Sequence, residues 1–175
     1  MLSEIDVTRR DRLRKWARRS VELVLILAVF FGMRAYQQRD IASGIAPVLE
    51  GVLLNGQSIS LAELTGKPVL VHFWATWCSI CALEQDSIEA ISKDYHVISV
   101  AMQSGPETEV ASYLKENSLT FPVLNDPEGL HANKWGVNVV PASFVIDPQG
   151  HIRFTEVGYT TEMGLRGRLW YAGRL

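Results

Sequence analysis

The sequence predicts an α/β domain whose sheet combines parallel and antiparallel strands, and two observations lead to this fold class. Two short apolar runs, residues 69–74 and 96–101, are each followed by residues at helical spacing, and strands that alternate with helices are typical of parallel sheets. Near the end of the chain, residues 142–147 and 151–157 flank an Asp-Pro-Gln-Gly turn. That pattern indicates an antiparallel hairpin, so the predicted sheet has strands of both directions.

The first element of the domain is a predicted β-hairpin. Residues 48–60 contain two apolar stretches around an Asn-Gly pair, which is a strong hairpin signal. A helical turn at residues 61–64 follows, and a Gly-Lys-Pro sequence at residues 66–68 separates it from the first core strand. The hairpin and the turn therefore precede the core sheet.

A helix is predicted after the second core strand. Ser104 and Glu107 have the spacing of a capping box, and Pro106 lies in the first turn, where proline is favoured. We expect this helix to run to about Asn117. Its predicted buried face consists of three apolar residues: Val110, Ala111 and Leu114.

Three further elements complete the predicted domain. Residues 120–124 form a short strand and residues 125–129 form a turn. Residues 161–172 form a final helix with Leu165 and Leu169 on one face, although each of its two glycines costs about 1 kcal/mol in a helix interior. We therefore expect this helix to depend on packing against the sheet.

The chain divides into a globular domain, residues 47–175, and an N-terminal extension. Residues 1–20 carry seven basic and three acidic side chains, residues 21–36 are mostly apolar, and residues 37–46 form a short polar linker. From residue 46 onward there are 8 basic and 14 acidic side chains, a net charge of −6. Because contact with phosphates requires a basic face, this charge excludes a nucleic-acid-binding domain.

Residues 21–36 are predicted to be an uncleaved membrane anchor. Their apolar core, residues 23–33, is 11 residues long, which is short compared with the roughly 20 residues that span a bilayer. Glu22 and Arg34 at its ends can extend toward the membrane surface. A cleaved signal peptide is the alternative, but no cleavage site of small residues follows Met33. The preceding basic residues predict a cytoplasmic N-terminus and a domain on the outer side.

Two cysteines lie where the first core strand gives way to a helix. Cys78 follows the strand, and one stripe of the predicted helix contains Cys81, Glu84, Ile88 and Ile91. The free N–H groups and the dipole of a helix start stabilise negative charge. We therefore expect the Cys78 thiol to ionise below the free-thiol pKa of about 8.5. Because a thiolate attacks disulfides, this arrangement predicts thiol–disulfide exchange.

Two other uses of the cysteine pair agree less well with the sequence. A structural zinc site requires four ligands, and the histidines lack the spacing of a zinc site: His72, His96, His131 and His151. A purely structural disulfide that closes so short a loop would add little stability. We therefore predict no metal site and no separate cofactor.

The run FWATWCSIC at residues 73–81 resembles the active site of thioredoxin-fold proteins, in particular the membrane-anchored bacterial TlpA/ResA/CcmG group. The resemblance covers residues 46–157. The Ser-Ile pair between the cysteines and residues 158–170 are most similar to suppressor-for-copper-sensitivity proteins of the ScsD type. This resemblance implies a thioredoxin fold with an N-terminal β-hairpin. It also implies a periplasmic domain that is tethered to the bacterial inner membrane.

The exchange chemistry and the resemblance together assign roles to several residues. Cys78 is expected to be the nucleophile and Cys81 the resolving cysteine. Val140 and Pro141 resemble the cis-proline loop that faces the cysteines in this fold, where the main chain of Val140 could pair with an extended substrate. Trp77 is expected to be partly exposed beside Cys78.

Glu84 and His72 are the two candidate proton-transfer residues. Glu84 lies one helical turn after Cys81, and the ResA pattern has a glutamate at this spacing. Burial would raise its pKa, whereas a solvated helix glutamate is the alternative. At the position of His72, thioredoxin has an aspartate and TlpA-like proteins often have an asparagine. His72 is therefore either a proton shuttle or a hydrogen-bonded core histidine. Asp86 stands where these proteins have a helix-kinking proline, so we expect a straighter helix.

These features predict a periplasmic, membrane-tethered thiol-disulfide oxidoreductase. Its expected partners are protein disulfides, which it reduces, and a membrane reductase that donates electrons. The direction of electron flow and a role in redox homeostasis or copper tolerance are implied by the resemblance alone. Two alternatives remain open. One is a Cu(I) carrier that uses the same cysteines, because soft thiolates select Cu(I); the other is a membrane adaptor with a vestigial site.

Overall fold

The computed structural model describes Trp16, residues 19–29, Gly32 and residues 41–175. The chain divides into two compact units, Met1–Arg39 and Asp40–Leu175. Residues 19–29 are helical, and none of the helices among the described residues combines the length and the apolar character of a bilayer-spanning segment. Most of the predicted basic segment 1–20, part of the predicted anchor 21–36 and the start of the predicted linker lie outside the described residues.

The second unit contains two β-sheets. Their strands, numbered in chain order, are β1 (Gly44–Ile45), β2 (Glu50–Val52), β3 (Ser58–Ser60), β4 (Val69–Trp74), β5 (His96–Met102), β6 (Val123–Asp126), β7 (Ala142–Ile146) and β8 (His151–Val157). The larger sheet has the order β1-β8-β7-β4-β5-β6, and β2 pairs with β3 in a separate hairpin. Strands β4, β5 and β6 are parallel, whereas β1, β7 and β8 pair antiparallel with their neighbours. The predicted mixed α/β sheet is therefore confirmed.

Strand β4 occupies a central position in the larger sheet and is buried at all six residues. It pairs in parallel with β5 on one side and antiparallel with β7 on the other. Burial on both faces explains why the run reads as continuously apolar rather than alternating. Its side chains nevertheless alternate between two cores, with Leu70 and Trp74 in one and Val71 and Phe73 in the other.

Five α-helices cover the two faces of the sheet. They are α1 (Ser79–Ala82), α2 (Gln85–Ser92), α3 (Glu107–Glu116), α4 (Leu130–Lys134) and α5 (Glu162–Ala172). Apolar residues of α1, α2, α3 and α5 join one core cluster, which includes Cys81, Ile88 and Leu165. The β2–β3 hairpin region and α4 contribute to the other cluster, in which Trp135 packs against Phe73 and Phe144.

The predicted hairpin and the final helix are both confirmed. The hairpin turns at Gly56, whose φ of 83° lies in the left-handed region that glycine adopts readily. The final helix, α5, begins after Thr161, whose hydroxyl accepts a hydrogen bond from the N–H of Gly164. Leu165 and Leu169 are fully buried, so the apolar face of α5 packs on the sheet as expected.

Several predicted boundaries are wrong. The strand predicted at residues 120–124 is β6, which begins at Val123 because Pro122 has no N–H to donate to a ladder. Gly44–Ile45, which we expected to be linker, form β1 at the sheet edge and pair with β8. Helix α4 is too short for a periodic signal, and it is capped by the Asp126 carboxylate, which accepts the N–H groups of His131 and Ala132.

The capping box predicted at Ser104 is absent. Helix α3 begins at Glu107 with Pro106 at its N-cap, and no side chain caps it. The Ser104 hydroxyl is buried and bonds elsewhere, because it donates to the carbonyl of Met102 and accepts the N–H of Thr76. Of the three residues predicted to face the core, Val110 is buried and Leu114 half-buried, whereas Ala111 is exposed.

Candidate active site

The two cysteines form a disulfide at the junction between β4 and α1. Cys78 is the N-cap residue of α1, and its Sγ accepts the N–H of Cys81 at 3.1 Å. An N–H group in this position favours the charged form of a Cys78 thiolate. The predicted position of Cys78 at a helix start is therefore what the structure shows.

The two sulfur-bearing residues differ in their access to solvent. Both are buried, but Cys78 is 8% exposed and Cys81 only 3%, so Cys78 is the less buried of the pair. Around them lie exposed apolar side chains, with Trp77 62% exposed and Ile80 48% exposed. Trp77 is thus exposed beside Cys78, as predicted, whereas Trp74 is buried.

The loop that contains Val140 and Pro141 faces the disulfide. The Val140–Pro141 peptide bond is cis, and the carbonyl oxygen of Val140 lies 3.7 Å from the Sγ of Cys78. The carbonyl of Pro141 accepts the N–H of Gly158 at 2.8 Å, which ties this loop to the end of β8. The structure therefore brings together the cysteines and the proline loop, which are 62 residues apart in sequence.

Glu84 lies between α1 and α2 and is fully buried. Its Oε2 accepts the N–H of Thr160 at 2.9 Å, whereas Oε1 has no hydrogen-bond partner and lies 3.7 Å from Nδ1 of His72. Burial raises the pKa of Glu84 to about 7, although the hydrogen bond from Thr160 acts in the opposite direction. This carboxyl group can therefore exchange a proton near neutral pH.

His72 lies on β4 and is 2% exposed. Its Nδ1 lies 2.9 Å from Oγ of Ser143 on β7. Burial lowers the pKa of His72 to about 3, so the imidazole is neutral at physiological pH. His72 pairs in register with Ser143 on one side and Ser99 on the other, which places a row of three polar side chains across an otherwise apolar sheet face.

The helix that carries the site is interrupted, which contradicts the straight helix expected from Asp86. Helix α1 ends at Ala82 and α2 begins at Gln85. Between them, the N–H groups of Leu83 and Glu84 donate to carbonyls three residues back, at 3.2 and 3.1 Å. This tighter hydrogen-bond pattern breaks the regular α-helix without a proline.

Four residues near the site were not predicted from the sequence. Ser143 bonds His72, the N–H of Thr160 bonds Glu84, and Gln103 and Ser104 contact the turn that precedes Cys78. For Ser143, the sequence offers one signal, since a serine interrupts the apolar run 142–147. The other three act through backbone groups or across long sequence separations, for which the sequence has no local signature.

No group of three or more His, Cys, Asp or Glu side chains within the described residues is arranged to hold a metal ion. Of the sequence-predicted site residues, the structure gathers two sets around the disulfide. Cys78, Trp77, Val140 and Pro141 lie at its outer side, and Glu84 and His72 lie in the interior. The arrangement offers a nucleophilic sulfur next to a free peptide edge, with a buried titratable carboxyl group behind it.

Comparison with known proteins agrees with this geometry. The model of the AhpC/TSA family matches residues 44–155. The chain is 39% identical over 121 residues to a thioredoxin-like protein of Haemophilus influenzae, a match that covers 68% of this chain and 72% of the relative. It is 28% identical over 165 residues to the thiol-disulfide oxidoreductase ResA of Oceanobacillus iheyensis, covering 87% of this chain and 85% of ResA.

A solved structure shows the same fold. The thiol:disulfide interchange protein of Chlorobium tepidum, a thioredoxin family protein, superposes with a TM-score of 0.65 at 27% identity, over 76% of this chain and 98% of that chain. The thioredoxin fold expected from the FWATWCSIC motif is thereby confirmed. The chain therefore belongs to the AhpC/TSA family and is a thioredoxin-fold thiol-disulfide oxidoreductase with a redox-active Cys78–Cys81 pair.

Proposed function

We propose that the protein reduces the disulfides of other proteins in the bacterial periplasm, with Cys78 as nucleophile and Cys81 as resolving cysteine. The observation that carries this assignment is the position of the Cys78 sulfur. It accepts the N–H of Cys81 at 3.1 Å and lies 3.7 Å from the carbonyl of Val140. The first contact favours a thiolate, and the second places that thiolate beside a backbone edge where an extended chain can bind.

The reaction has two exchange steps. In the first, the Cys78 thiolate attacks one sulfur of the substrate disulfide, forms a mixed disulfide and releases the other substrate sulfur as a thiolate. In the second, the Cys81 thiolate attacks the Cys78 sulfur, closes the intramolecular disulfide and releases the second substrate thiolate. The substrate gains two electrons and the protein loses two. A membrane dithiol reductase must then return two electrons to the disulfide before the next cycle.

Glu84 is the proposed proton acceptor for Cys81. The resolving thiol must lose a proton before it attacks, and the side chain one helical turn further along the chain is a carboxyl group whose pKa is raised to about 7 by burial. His72 is its proposed neighbour in this step, because its Nδ1 lies 3.7 Å from Oε1, which has no hydrogen-bond partner. Because this imidazole is neutral and its Nδ1 is paired with Ser143, it places no positive charge beside the carboxyl group, and burial keeps the pKa of Glu84 raised.

The substrate site combines a peptide edge with apolar side chains. Val140 is half-buried and its carbonyl faces the disulfide, so an extended substrate can pair its main chain with this residue. Val139, Trp77 and Ile80 are exposed around the same point. These side chains suit apolar residues on either side of a substrate cysteine.

The membrane anchor at residues 21–36 is part of this proposal. The seven basic side chains within residues 1–20 support a cytoplasmic N-terminus and a domain on the periplasmic side. A place in redox homeostasis or copper tolerance is also part of the proposal, because the resemblance of residues 158–170 to ScsD-type proteins implies it.

Digestion of intact spheroplasts by an external protease tests the topology, because a periplasmic domain would be cleaved without membrane rupture.

Binding of Cu(I) is the second candidate function, because the reduced pair offers two soft thiolates whose Cα atoms are 5.3 Å apart. Within the described residues no third His, Cys, Asp or Glu joins them, so both ligands would be sulfur. Titration of the reduced chain with Cu(I) separates the two functions. Tight stoichiometric binding without disulfide reductase activity would favour the carrier.

Substrate trapping tests the proposed exchange mechanism. Cys81→Ala removes the resolving thiol, so mixed disulfides with substrates and with the electron donor should accumulate through Cys78. They are detected as adducts on non-reducing gels that disappear with dithiothreitol, and mass spectrometry identifies the partners. The double variant C78A/C81A is the control. A C81A chain that forms no more adducts than this control would contradict the mechanism.

A further inference from the structure

Trp77 is exposed, yet its indole is held in place. The side chain is 62% exposed immediately before Cys78, and its Nε1–H donates to the carbonyl oxygen of Gln103 at 2.9 Å. An indole has only this one polar hydrogen. Because that hydrogen is already bonded, the exposed part of Trp77 offers a neighbouring chain its apolar ring.

The carbonyl that holds Trp77 belongs to a residue with an unusual backbone. Gln103 has a φ of 47°, in the left-handed region that costs energy for residues with a Cβ atom. Within the described residues eight glycines have positive φ, and only Gln103 and Ser118 do so with a side chain. Strained backbone conformations cluster at functional sites, where the surrounding structure maintains them.

The surroundings of Gln103 maintain this conformation on both sides. Its N–H donates to the carbonyl of Asp126 at 2.9 Å, which continues the contact between β5 and β6 beyond the end of β5. The next residue, Ser104, accepts the N–H of Thr76 at 3.1 Å and is 4% exposed. Two consecutive residues after β5 therefore hold the two consecutive residues before Cys78.

We propose that Gln103 is a positioning residue that acts through its left-handed backbone. Its carbonyl fixes the Trp77 indole beside Cys78 as a preformed apolar wall, which selects partner chains with an apolar residue next to the reactive cysteine. A side chain that is already immobilised loses less conformational entropy when a partner binds. This inference rests on the proposed disulfide exchange, since the wall matters only if a partner chain reaches Cys78.

Substitutions at residue 103 separate a backbone role from a side-chain role. Valine is β-branched and is a strong outlier in the left-handed region, so Gln103→Val should displace the carbonyl and release Trp77. Glycine adopts that region freely, so Gln103→Gly should keep the carbonyl in place. Ser118→Val is the matched control, because Ser118 has a φ of 55° and lies in the turn after α3.

The readout is reduction of a synthetic peptide disulfide flanked by leucines, with the full chain in detergent and dithiothreitol as the electron source. Q103V should raise KM by about threefold to tenfold, the cost of immobilising one side chain on binding. Q103G and S118V should keep the wild-type KM, even though S118V should lower Tm as Q103V does. In chains labelled with 5-fluorotryptophan, the ¹⁹F signal of Trp77 should shift in Q103V only.

Three outcomes would overturn the inference while leaving the exchange function intact. They are an unchanged KM in a folded Q103V, a KM raised equally by Q103G, and a Trp77 signal that does not move in Q103V. If Q103V fails to fold, benzothienylalanine at position 77 replaces it, because this isostere keeps the ring and removes the N–H; an unchanged KM there also overturns the inference. A wild-type chain that reduces no peptide disulfide would overturn the proposed function itself.

Discussion

The carboxyl group of Glu84 and the imidazole of His72 are buried together, and their effects on stability have opposite signs. The folded-state pKa of Glu84 is raised from 4.5 to about 7 by burial. Between these values the folded protein binds more protons than the unfolded chain, so this contribution to stability is lost as the pH rises toward 7. The folded-state pKa of His72 is lowered from 6.5 to about 3. Its contribution is therefore lost as the pH falls from 6.5 toward 3.

Single substitutions in the oxidised protein should reveal how Glu84 and His72 make the free energy of unfolding depend on pH. The free energy of unfolding of Glu84→Gln, relative to wild type, should rise by about 3 kcal/mol between pH 4.5 and 7. That of His72→Asn, relative to wild type, should rise as the pH falls from 6.5 toward 3. Urea denaturation at a series of pH values measures both differences, and Glu116→Gln on the exposed part of α3 controls for the loss of a carboxylate. Differences that stay constant with pH would contradict the assignment of a buried pair.

At the scale of single elements, helix α5 connects the site to the rest of the fold. Thr160, which bonds Glu84, lies just before its first turn. Arg166 on α5 donates to Asp94 and to Glu162, each at 2.7 Å, and to the carbonyl of Ala90 at 3.1 Å. These contacts join α5 to the end of α2, so the position of Thr160 over Glu84 depends on a packed α5.

Helix α5 contains two glycines with different surroundings, which gives a paired stability prediction. A Cβ atom at Gly167 would meet nothing within 4 Å, so Gly167→Ala should raise the free energy of unfolding by about 0.5–1 kcal/mol through helix propensity. A Cβ atom at Gly164 would lie 3.1 Å from the hydroxyl oxygen of Thr161, which caps the helix. Gly164→Ala should therefore raise the free energy of unfolding by less than Gly167→Ala does. Thermal unfolding monitored by circular dichroism compares the two variants. A larger gain from G164A than from G167A would contradict this account of α5.

The elements differ in how far the sequence predicts them. Strand β4, the β2–β3 hairpin and the β7–β8 hairpin were predicted because apolar runs and turn residues are local signals. The capping box at Ser104 was wrong because its hydroxyl is used by Thr76, which is 28 residues away. Helix α4 was missed because five residues are too few to show a period. In the site, the FWATWCSIC motif predicted the cysteines, and the resemblance of Val140 and Pro141 to a cis-proline loop predicted that loop. Ser143 and Gln103 depend on strand neighbours that only the fold defines.

At the scale of the whole domain, the mixed sheet explains why these groups meet. Strand β4 ends at Trp74, shortly before Cys78, and β7 is antiparallel to it, so the start of β7 lies beside the end of β4. Pro141, immediately before β7, is thereby placed next to Cys78, and Gln103 follows the end of the parallel neighbour β5 on the other side. The adjacent ends of β4, β5 and β7 thus supply the nucleophilic cysteine, the backbone of the proline loop and the carbonyl that holds Trp77.

The central claim is that Cys78 is an accessible thiolate at a helix start, and the pH dependence of alkylation tests it most directly. The full chain is reduced, treated with iodoacetamide at graded pH, and analysed by mass spectrometry to follow each cysteine separately. We predict that Cys78 reacts first with an apparent pKa below the free-thiol value of about 8.5, and that Cys81, which is 3% exposed in the oxidised protein, reacts far more slowly. A Cys78 that titrates like a free thiol, or that reacts after Cys81, would contradict the account.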